Sequence, residues 1–292
     1  MIGIKTYNDI YLETRKALKA AGIEAYDLEA RLMLSAAAGK SREEFYRDIK
    51  FYAMGETEAR VREFTARRIA GEPIAYVLGE WEFMGLPMEV AAGVLIPRPE
   101  TETLAELALR LLRGRHTAGA RVLDLCCGTG CIGISVAAKV ADAKIVLADN
   151  SMKALRVARK NVRRNNVAGN TIVIDADVLK SPPMMLGRFD MIISNPPYIP
   201  TKEIKTLDSS VRDFEPREAL DGGPDGLDFY RAIIPRWTDI LKDDGVILFE
   251  CGEGQADEIG LLLRDSGFTA AYHEDAFGVR RIVAGLKENK QP

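Results

Sequence analysis

Hydrophobic and polar positions change rhythm twice along the 292 residues of this chain. Over residues 1–72, Leu12, Leu18, Leu28, Leu32 and Leu34 recur among Ala, Glu and Lys at spacings that suit helices. Ser41-Arg42-Glu43-Glu44 has the spacing of a capping box, which predicts a helix opening there and running toward Ile49. Another helix is expected from about 56 to 70, stopped by Gly71-Glu72-Pro73. From Ile74 to Val90 the pattern turns β-like. Tyr76, Val77, Trp81, Phe83 and Met88, broken by Gly79 and by Gly85-Leu86-Pro87, predict a hairpin or two short strands. Beyond Val94 short apolar runs alternate with amphipathic stretches. Strands are expected at 121–125, 144–148, 171–175, 189–194, 246–251, 268–273 and 279–283, and helices at 101–113, 132–140, 151–165, 227–241 and 255–266. This alternation predicts a mostly parallel sheet covered on both faces. The last two strands, joined by a short turn, predict an antiparallel hairpin at one edge. The organisation is thus a helical domain over 1–72, a linking β-hairpin over 73–95, an α/β domain over 96–287 and a tail over 288–292.

One strand end stands out. The run Phe189-Asp190-Met191-Ile192-Ile193-Ser194 leads into Asn195-Pro196-Pro197-Tyr198. Pro197 fixes its own φ and pushes Pro196 into an extended shape. Neither proline has an N–H, so the Pro196 carbonyl has no competing donor beside it. The corner presents the Asn195 side-chain oxygen and that carbonyl together under the Tyr198 ring, a pair of acceptors that suits a planar NH2 group. Such a group is the amide of glutamine or the exocyclic amine of adenine or guanine. Taken alone, the four residues read equally well as a proline-rich turn.

A second turn supplies the missing half. Arg121 to Leu125 is a strand, and Cys126-Cys127-Gly128-Thr129-Gly130-Cys131 turns it into a helix. Open α/β sheets bind ligands at such carboxyl ends of strands. Gly128 and Gly130 let the backbone pass close to a ligand, but the spacing is not the G-x-G-x-x-G of a dinucleotide site. The next strand ends at Asp149-Asn150, where an acidic residue can accept both ribose hydroxyls. The third leads into Asp175-Ala176-Asp177-Val178, with Asp177 placed to accept from an adenine amine and Val178 to cover the ring. Any one of these aspartates could be a helix cap or a solvated turn; three in order after three strands point to a ligand. The Asp124-x-x-x-Gly128-x-Gly130 turn resembles the S-adenosylmethionine loop of class I methyltransferases. That resemblance implies cofactor binding by Asp124, Cys126, Cys127, Gly128, Thr129, Gly130, Asp149, Asn150, Asp177 and Val178, with Asn195 beside them. Cys126 and Cys127 read as small apolar residues in a tight turn.

Composition narrows the partners. Apolar residues make up 47% and charged residues 28%, ordinary for a globular protein. The net charge of −3 argues against a life on duplex DNA, although Arg60, Arg62, Arg67 and Arg68 form a local basic patch. No apolar run is long enough for a bilayer, and Met1 to Asp9 lack a signal-peptide core, so a cytoplasmic protein with no membrane partner is expected. The four cysteines form no C-x-x-C pair and there are two histidines, His116 and His273; no metal site is expected. Both histidines read as structural or exposed, leaving no obvious general base.

With both turns in hand, the chain resembles the glutamine-N5 methyltransferases acting on class-1 peptide chain release factors. The resemblance extends over nearly the whole sequence. It includes Pro73-Ile74-Ala75-Tyr76-Val77-Leu78-Gly79, Ile96-Pro97-Arg98-Pro99-Glu100-Thr101-Glu102, and Phe214-Glu215-Pro216-Arg217-Glu218-Ala219-Leu220-Asp221-Gly222-Gly223 with Asp225-Gly226-Leu227. The last two blocks set it apart from nucleic-acid amine methylases that share the Asn-Pro-Pro-Tyr corner. The resemblance implies a class I, Rossmann-like, seven-stranded methyltransferase domain with a helical N-terminal domain that contacts the release factor. It implies that Asn195 and Pro196 bind the substrate amide, with Pro197 and Tyr198 walling it, and that Gly128, Gly130 and Asp149 bind the cofactor. Arg98 and Glu100 are implied as a wall near the methyl donor; position in a first helical turn explains Glu100 equally well. The stretch from Ile199 to Asp225 is long for a plain connection and reads as a loop closing over substrate. Three rival readings are glutamine methylation of a ribosomal protein, amine methylation of a nucleic-acid base, and cofactor binding without catalysis.

Overall fold

The structure, a computed structural model, describes residues 5–114, 119–275 and 277–287, without the Arg42 side chain. His116 and the expected tail at 288–292 lie outside the described residues. The chain divides into two compact units, one of residues 1–80 with 209–214, the other of 81–208 with 215–292.

The first unit holds α1 (Tyr7–Ala20), α2 (Tyr26–Ala38), α3 (Arg42–Asp48), α4 (Gly55–Ile69) and α5 (Ile74–Leu78). The capping box at Ser41 and Glu44 forms as the spacing predicts, and a second, Thr6 with Asp9, opens α1. Leu18, Ala30, Met33, Phe64 and Val77 make one core cluster, and Tyr7, Ile10, Leu34, Phe45 and Val61 another. Leu12 and Leu28, from the same leucine pattern, are exposed. The expectation of a strand from Ile74 is corrected: residues 74–78 are helical. Pro73 precedes the helix and Gly79 ends it with a φ of 75°, the punctuation of a short helix, and Val77 is buried against α1, α2 and α4 side chains. In the expected basic patch, Arg62, Arg67 and Arg68 are each paired, with Glu58, Glu72 and Glu29.

The second unit begins with the hairpin β1 (Glu80–Phe83) and β2 (Leu86–Glu89). Met84 and Gly85 form its two-residue turn, both at positive φ, as tight hairpins require. The Glu89 backbone both donates to and accepts from the Asn161 amide, and Phe83 and Met88 enter the core of this unit. There follow α6 (Pro99–Gly114), β3 (Arg121–Leu125), α7 (Cys131–Lys139), β4 (Lys144–Asp149), α8 (Met152–Arg164), β5 (Thr171–Asp175) and β6 (Phe189–Ser194). After the single-turn α9 (Ser209–Arg212), which belongs to the helical unit, come α10 (Asp228–Trp237), β7 (Leu241–Glu250), α11 (Ala256–Asp265), β8 (Phe268–Glu274) and β9 (Arg280–Lys287).

The seven strands β3 to β9 lie in the order β5-β4-β3-β6-β7-β9-β8. All pairs are parallel except the two made by β9, so the predicted antiparallel hairpin forms the β8 edge. Strand residues alternate between two cores. Val122, Ile145, Leu147, Met191, Ile193 and Leu248 face α6 and α7; Leu123, Leu125, Val146, Ile192, Ile247 and Phe249 face α10 and α11. Burial on both faces explains why these strands read as continuous apolar runs. The strand order reverses between β3 and β6, so the turns that follow these two strands sit side by side at the switch point where such sheets bind ligands.

Candidate active site

A cleft lies at this switch point. Of the residues singled out in the sequence, Arg98, Cys126, Cys127, Gly128, Thr129, Asp149, Asn150, Val178, Asn195 and Pro197 line it. Gly130, Asp124, Asp177, Glu100, Pro196 and Tyr198 are not in its wall. Asp124 lies beneath it, 1% exposed, where one carboxyl oxygen accepts from the Gly133 N–H at 2.9 Å and the other has no partner. Burial pushes its carboxyl up to about 7, against the pull of that N–H. Asp177 turns to its own neighbours, accepting from the Leu179 N–H and pairing with Lys180. Glu100 is exposed on the first turn of α6.

The loop at Gly128 is held from both sides. Asp149, at the end of β4, accepts from the Gly128 N–H at 2.9 Å and the Ser151 N–H at 2.8 Å. Each carboxylate oxygen has a second lone pair, so both can still accept from a ligand hydroxyl. Burial raises the Asp149 carboxyl above its ordinary range despite these donors. At Gly128, with φ 55°, a Cβ would meet nothing within 4 Å, so the loop backbone is open to whatever fills the cleft. At Gly130, with φ 80°, a Cβ would stand 2.9 Å from Leu147; here glycine serves close packing of turn against sheet. The open Gly128 backbone and the spare acceptors of Asp149 fit a ligand carrying a ribose. Beyond β5, the Trp237 indole N–H points at the carbonyls of Val178 and Lys180, 3.1 and 3.0 Å away, holding Val178 and Leu179 in the cleft wall. Burial drives the Cys126 and Cys127 thiols well above their ordinary range, which leaves them as inert packing groups. Cys126 also carries a φ of 57°, uncommon for a non-glycine residue.

The Asn195 corner is braced by backbone. Gly222 and Gly226 stand where a Cβ would meet the Pro197 carbonyl and the Tyr198 Cα at 2.8 Å, and the Tyr198 carbonyl at 2.3 Å. The Tyr198 carbonyl accepts from Gln255 Nε2 at 2.9 Å, and across the loop the Ile199 N–H donates to the Leu220 carbonyl while the Ile199 carbonyl accepts from the Gly222 N–H. Among the described residues, no donor is hydrogen-bonded to Asn195 Oδ1 or to the Pro196 carbonyl. The opposite edge of the amide is engaged, with Asn195 Nδ2 donating to Thr101 Oγ1 at 3.2 Å. Arg98 pairs with Glu215, which is buried and also accepts from the Ile96 N–H. This ties the loop carrying Pro216, Glu218 and Ala219 to the segment before α6, both in the cleft wall.

Residues 102–211 match the family described as Methyltransferase small domain, and residues 9–79 match PrmC N-terminal domain. A release factor glutamine methyltransferase of Geobacter sulfurreducens is 40% identical over 93% of this chain and 93% of its own length. One from Bradyrhizobium diazoefficiens is 37% identical, covering 92% of this chain and 91% of the relative. The chain belongs to the release factor glutamine methyltransferase family. A solved methyltransferase from Pyrococcus furiosus shares the fold, at 18% identity and a TM-score of 0.50 over 76% of this chain and 96% of that one.

In this family member, two buried groups beside Asn195 escape the sequence pattern. Thr101, 2% exposed, reads in the sequence only as a residue near a helix start. Glu250, 1% exposed, ends β7 next to the corner, because β6 and β7 pair Ser194 with Phe249. Its signal is a carboxylate at the carboxyl end of an apolar parallel strand. Burial pushes Glu250 up to about 7 and raises the Tyr198 phenol above its ordinary range. His273, on β8, is held below the usual histidine range by burial and then by Arg110; it is not in the cleft wall.

Proposed function

We propose that this chain methylates the side-chain amide nitrogen of the glutamine in the Gly-Gly-Gln loop of class-1 peptide chain release factors, with S-adenosylmethionine as donor. One observation carries the reading. Asn195 Oδ1 and the Pro196 carbonyl are two unused acceptors held at the switch point beside a loop suited to a nucleoside, in a chain of this family. Gly128, Asp149, Asn150 and Val178 would hold the cofactor, Asp149 accepting its ribose hydroxyls and Val178 covering its base. S-adenosylmethionine supplies an electrophilic methyl group on a sulfonium.

An amide nitrogen is a weak nucleophile because its lone pair is delocalised into the carbonyl. Accepting one N–H at Asn195 Oδ1 and the other at the Pro196 carbonyl fixes the direction of that lone pair. It also stabilises positive charge growing on the nitrogen, as fixed acceptors in a water-poor site do. The braced corner keeps this geometry at no cost during reaction, and holding two reactants in line accounts for a large part of such rate enhancements. The proton is released to water after transfer. The helical unit is the docking surface for the release factor in this reading, supported by the exposed Phe51, Tyr52 and Met54 between α3 and α4. Among the described residues no helix is long and apolar enough to cross a membrane.

The test is transfer of labelled methyl from S-adenosylmethionine to a purified class-1 release factor, beside a variant with the loop glutamine replaced. Label on the intact factor alone is expected. Label on neither, with ribosomal protein or nucleic acid labelled instead, defeats the proposed substrate. Asn195→Ala should abolish turnover while cofactor affinity by calorimetry stays within a few-fold; retained turnover removes Asn195 from its role.

A further inference from the structure

The Glu250 carboxylate is buried at the edge of the site, and neither of its oxygens has a hydrogen-bond partner. A buried polar group without a partner is rare and calls for an explanation. The donors that face it are the Thr101 hydroxyl and the Asn195 amide, near enough to favour its charged form without completing a hydrogen bond. The same hydroxyl accepts from Asn195 Nδ2. We propose that Glu250 is a positioning residue for methyl transfer, acting through Thr101 to decide which edge of the Asn195 amide faces the cleft. This rests on the reading of Asn195 as the acceptor for the substrate amide.

The reasoning is one of donors and acceptors. An asparagine amide has two edges of nearly equal shape, and its neighbours decide which way it points. A hydroxyl alone cannot decide, because it both donates and accepts. An ionised carboxylate only accepts. Facing Glu250, the Thr101 hydroxyl turns its hydrogen toward the carboxylate and its lone pair toward Asn195. Asn195 must then offer its NH2 edge, and Oδ1 is left for the substrate. A protonated Glu250 can donate to Thr101 instead, which frees the Thr101 hydrogen for Asn195 Oδ1 and turns the wrong edge outward. The charges around the carboxylate come from several elements. Glu100 on α6 opposes ionisation and Arg281 on β9 favours it, while Tyr198 after β6, Tyr230 on α10, Cys251 after β7 and Cys131 on α7 feel its charge.

The experiment measures kcat against pH for methylation of the release factor by wild type, Glu250→Gln, Glu250→Asp, Thr101→Val and the double variant Glu250→Gln/Thr101→Val. Wild type should show an acid limb, with turnover rising as Glu250 ionises. Glu250→Gln should lose at least tenfold in kcat and lose that limb, with cofactor affinity by calorimetry unchanged within twofold. Glu250→Asp should keep the limb and recover part of the rate. Thr101→Val should reproduce the loss, and the double variant should be no worse than the poorer single one, because both changes remove the same influence of Glu250 on Asn195 through Thr101. Glu250→Gln turning over within twofold of wild type overturns the proposal, as does an acid limb that survives it or losses that multiply in the double variant. Should Glu250→Gln fail to fold, Thr101→Val decides alone: full activity, or an intact acid limb, overturns the proposal. Failure of wild type to label the release factor counts against the proposed function instead, and is read before any variant.

Discussion

Gly222→Ala tests whether the paired glycines after the Asn195 corner are a mechanical brace. Gly222 does not adopt positive φ, so alanine adds steric bulk without backbone strain. Its Cβ would stand 2.8 Å from the Pro197 carbonyl oxygen and the Tyr198 Cα, and 2.9 Å from the Gly226 Cα. All three are backbone atoms, which cannot swing aside as a side-chain end can. Restoring an ordinary contact of 3.4 Å moves the corner or the glycine loop by about 0.6 Å. A misplacement of about 1 Å at a reacting centre costs roughly 100-fold, so a loss of about tenfold in kcat is expected. Overpacking should also cost about 1–3 kcal/mol of stability. The assay is initial-rate methylation of the release factor, with cofactor affinity and the thermal midpoint measured beside it. Cofactor affinity should hold, since the donor loop lies on another strand end. Gly169→Ala is the control, because a Cβ there meets nothing within 4 Å. Turnover of Gly222→Ala within twofold of wild type would refute the brace.

Three further outcomes are expected. Asp149→Ala should weaken S-adenosylmethionine binding by about 1–3 kcal/mol for a lost buried acceptor, and unchanged affinity in calorimetry removes Asp149 from the site. Arg98→Ala strands the buried Glu215 carboxylate, which should cost about 3 kcal/mol in urea unfolding; adding Glu215→Gln should recover much of it, and a neutral single variant argues against the tie. For Asp124, burial holds the folded-state pKa at about 7, above the value of about 3.9 in an unfolded chain. The folded state therefore keeps a proton that the unfolded chain has released, and stability falls as pH rises through that window. Asp124→Asn should gain on wild type by about 2–3 kcal/mol between pH 5 and pH 8; a difference independent of pH sinks the argument.

The sheet was legible because its strands are buried on both faces and each leaves an unbroken apolar run. The turns at Gly128 and at Asn195 were legible as parts of a candidate site because backbone demands, two glycines and two prolines, are written as residue types. Residues 74–78 were misread for the opposite reason. Ile-Ala-Tyr-Val-Leu favours a strand locally, and the burial of Val77 against three other helices outweighs that preference. The flanking Pro73 and Gly79 carried the correct signal. Thr101 and Glu250 were not legible as site residues, since their nearness to Asn195 comes from the pairing of β6 with β7 and the placement of α6, which no local pattern states. Arg98 and Glu215 belong with them: they are 117 positions apart and meet only in the fold. The leucine pattern of the first 72 residues announces helices but does not say which leucines face inward, and Leu12 and Leu28 do not.

The indole of Trp237 bridges the two carbonyls that shape the wall beside Val178. The chain has one other tryptophan, Trp81 in the hairpin. A ligand pressing on that wall alters the polarity and the hydrogen bonding felt by the Trp237 ring, and with them its emission. With Trp81 replaced by phenylalanine, this protein carries its own optical reporter. Occupancy of the Val178 side of the cleft can then be followed in a cuvette, without label and without waiting for turnover.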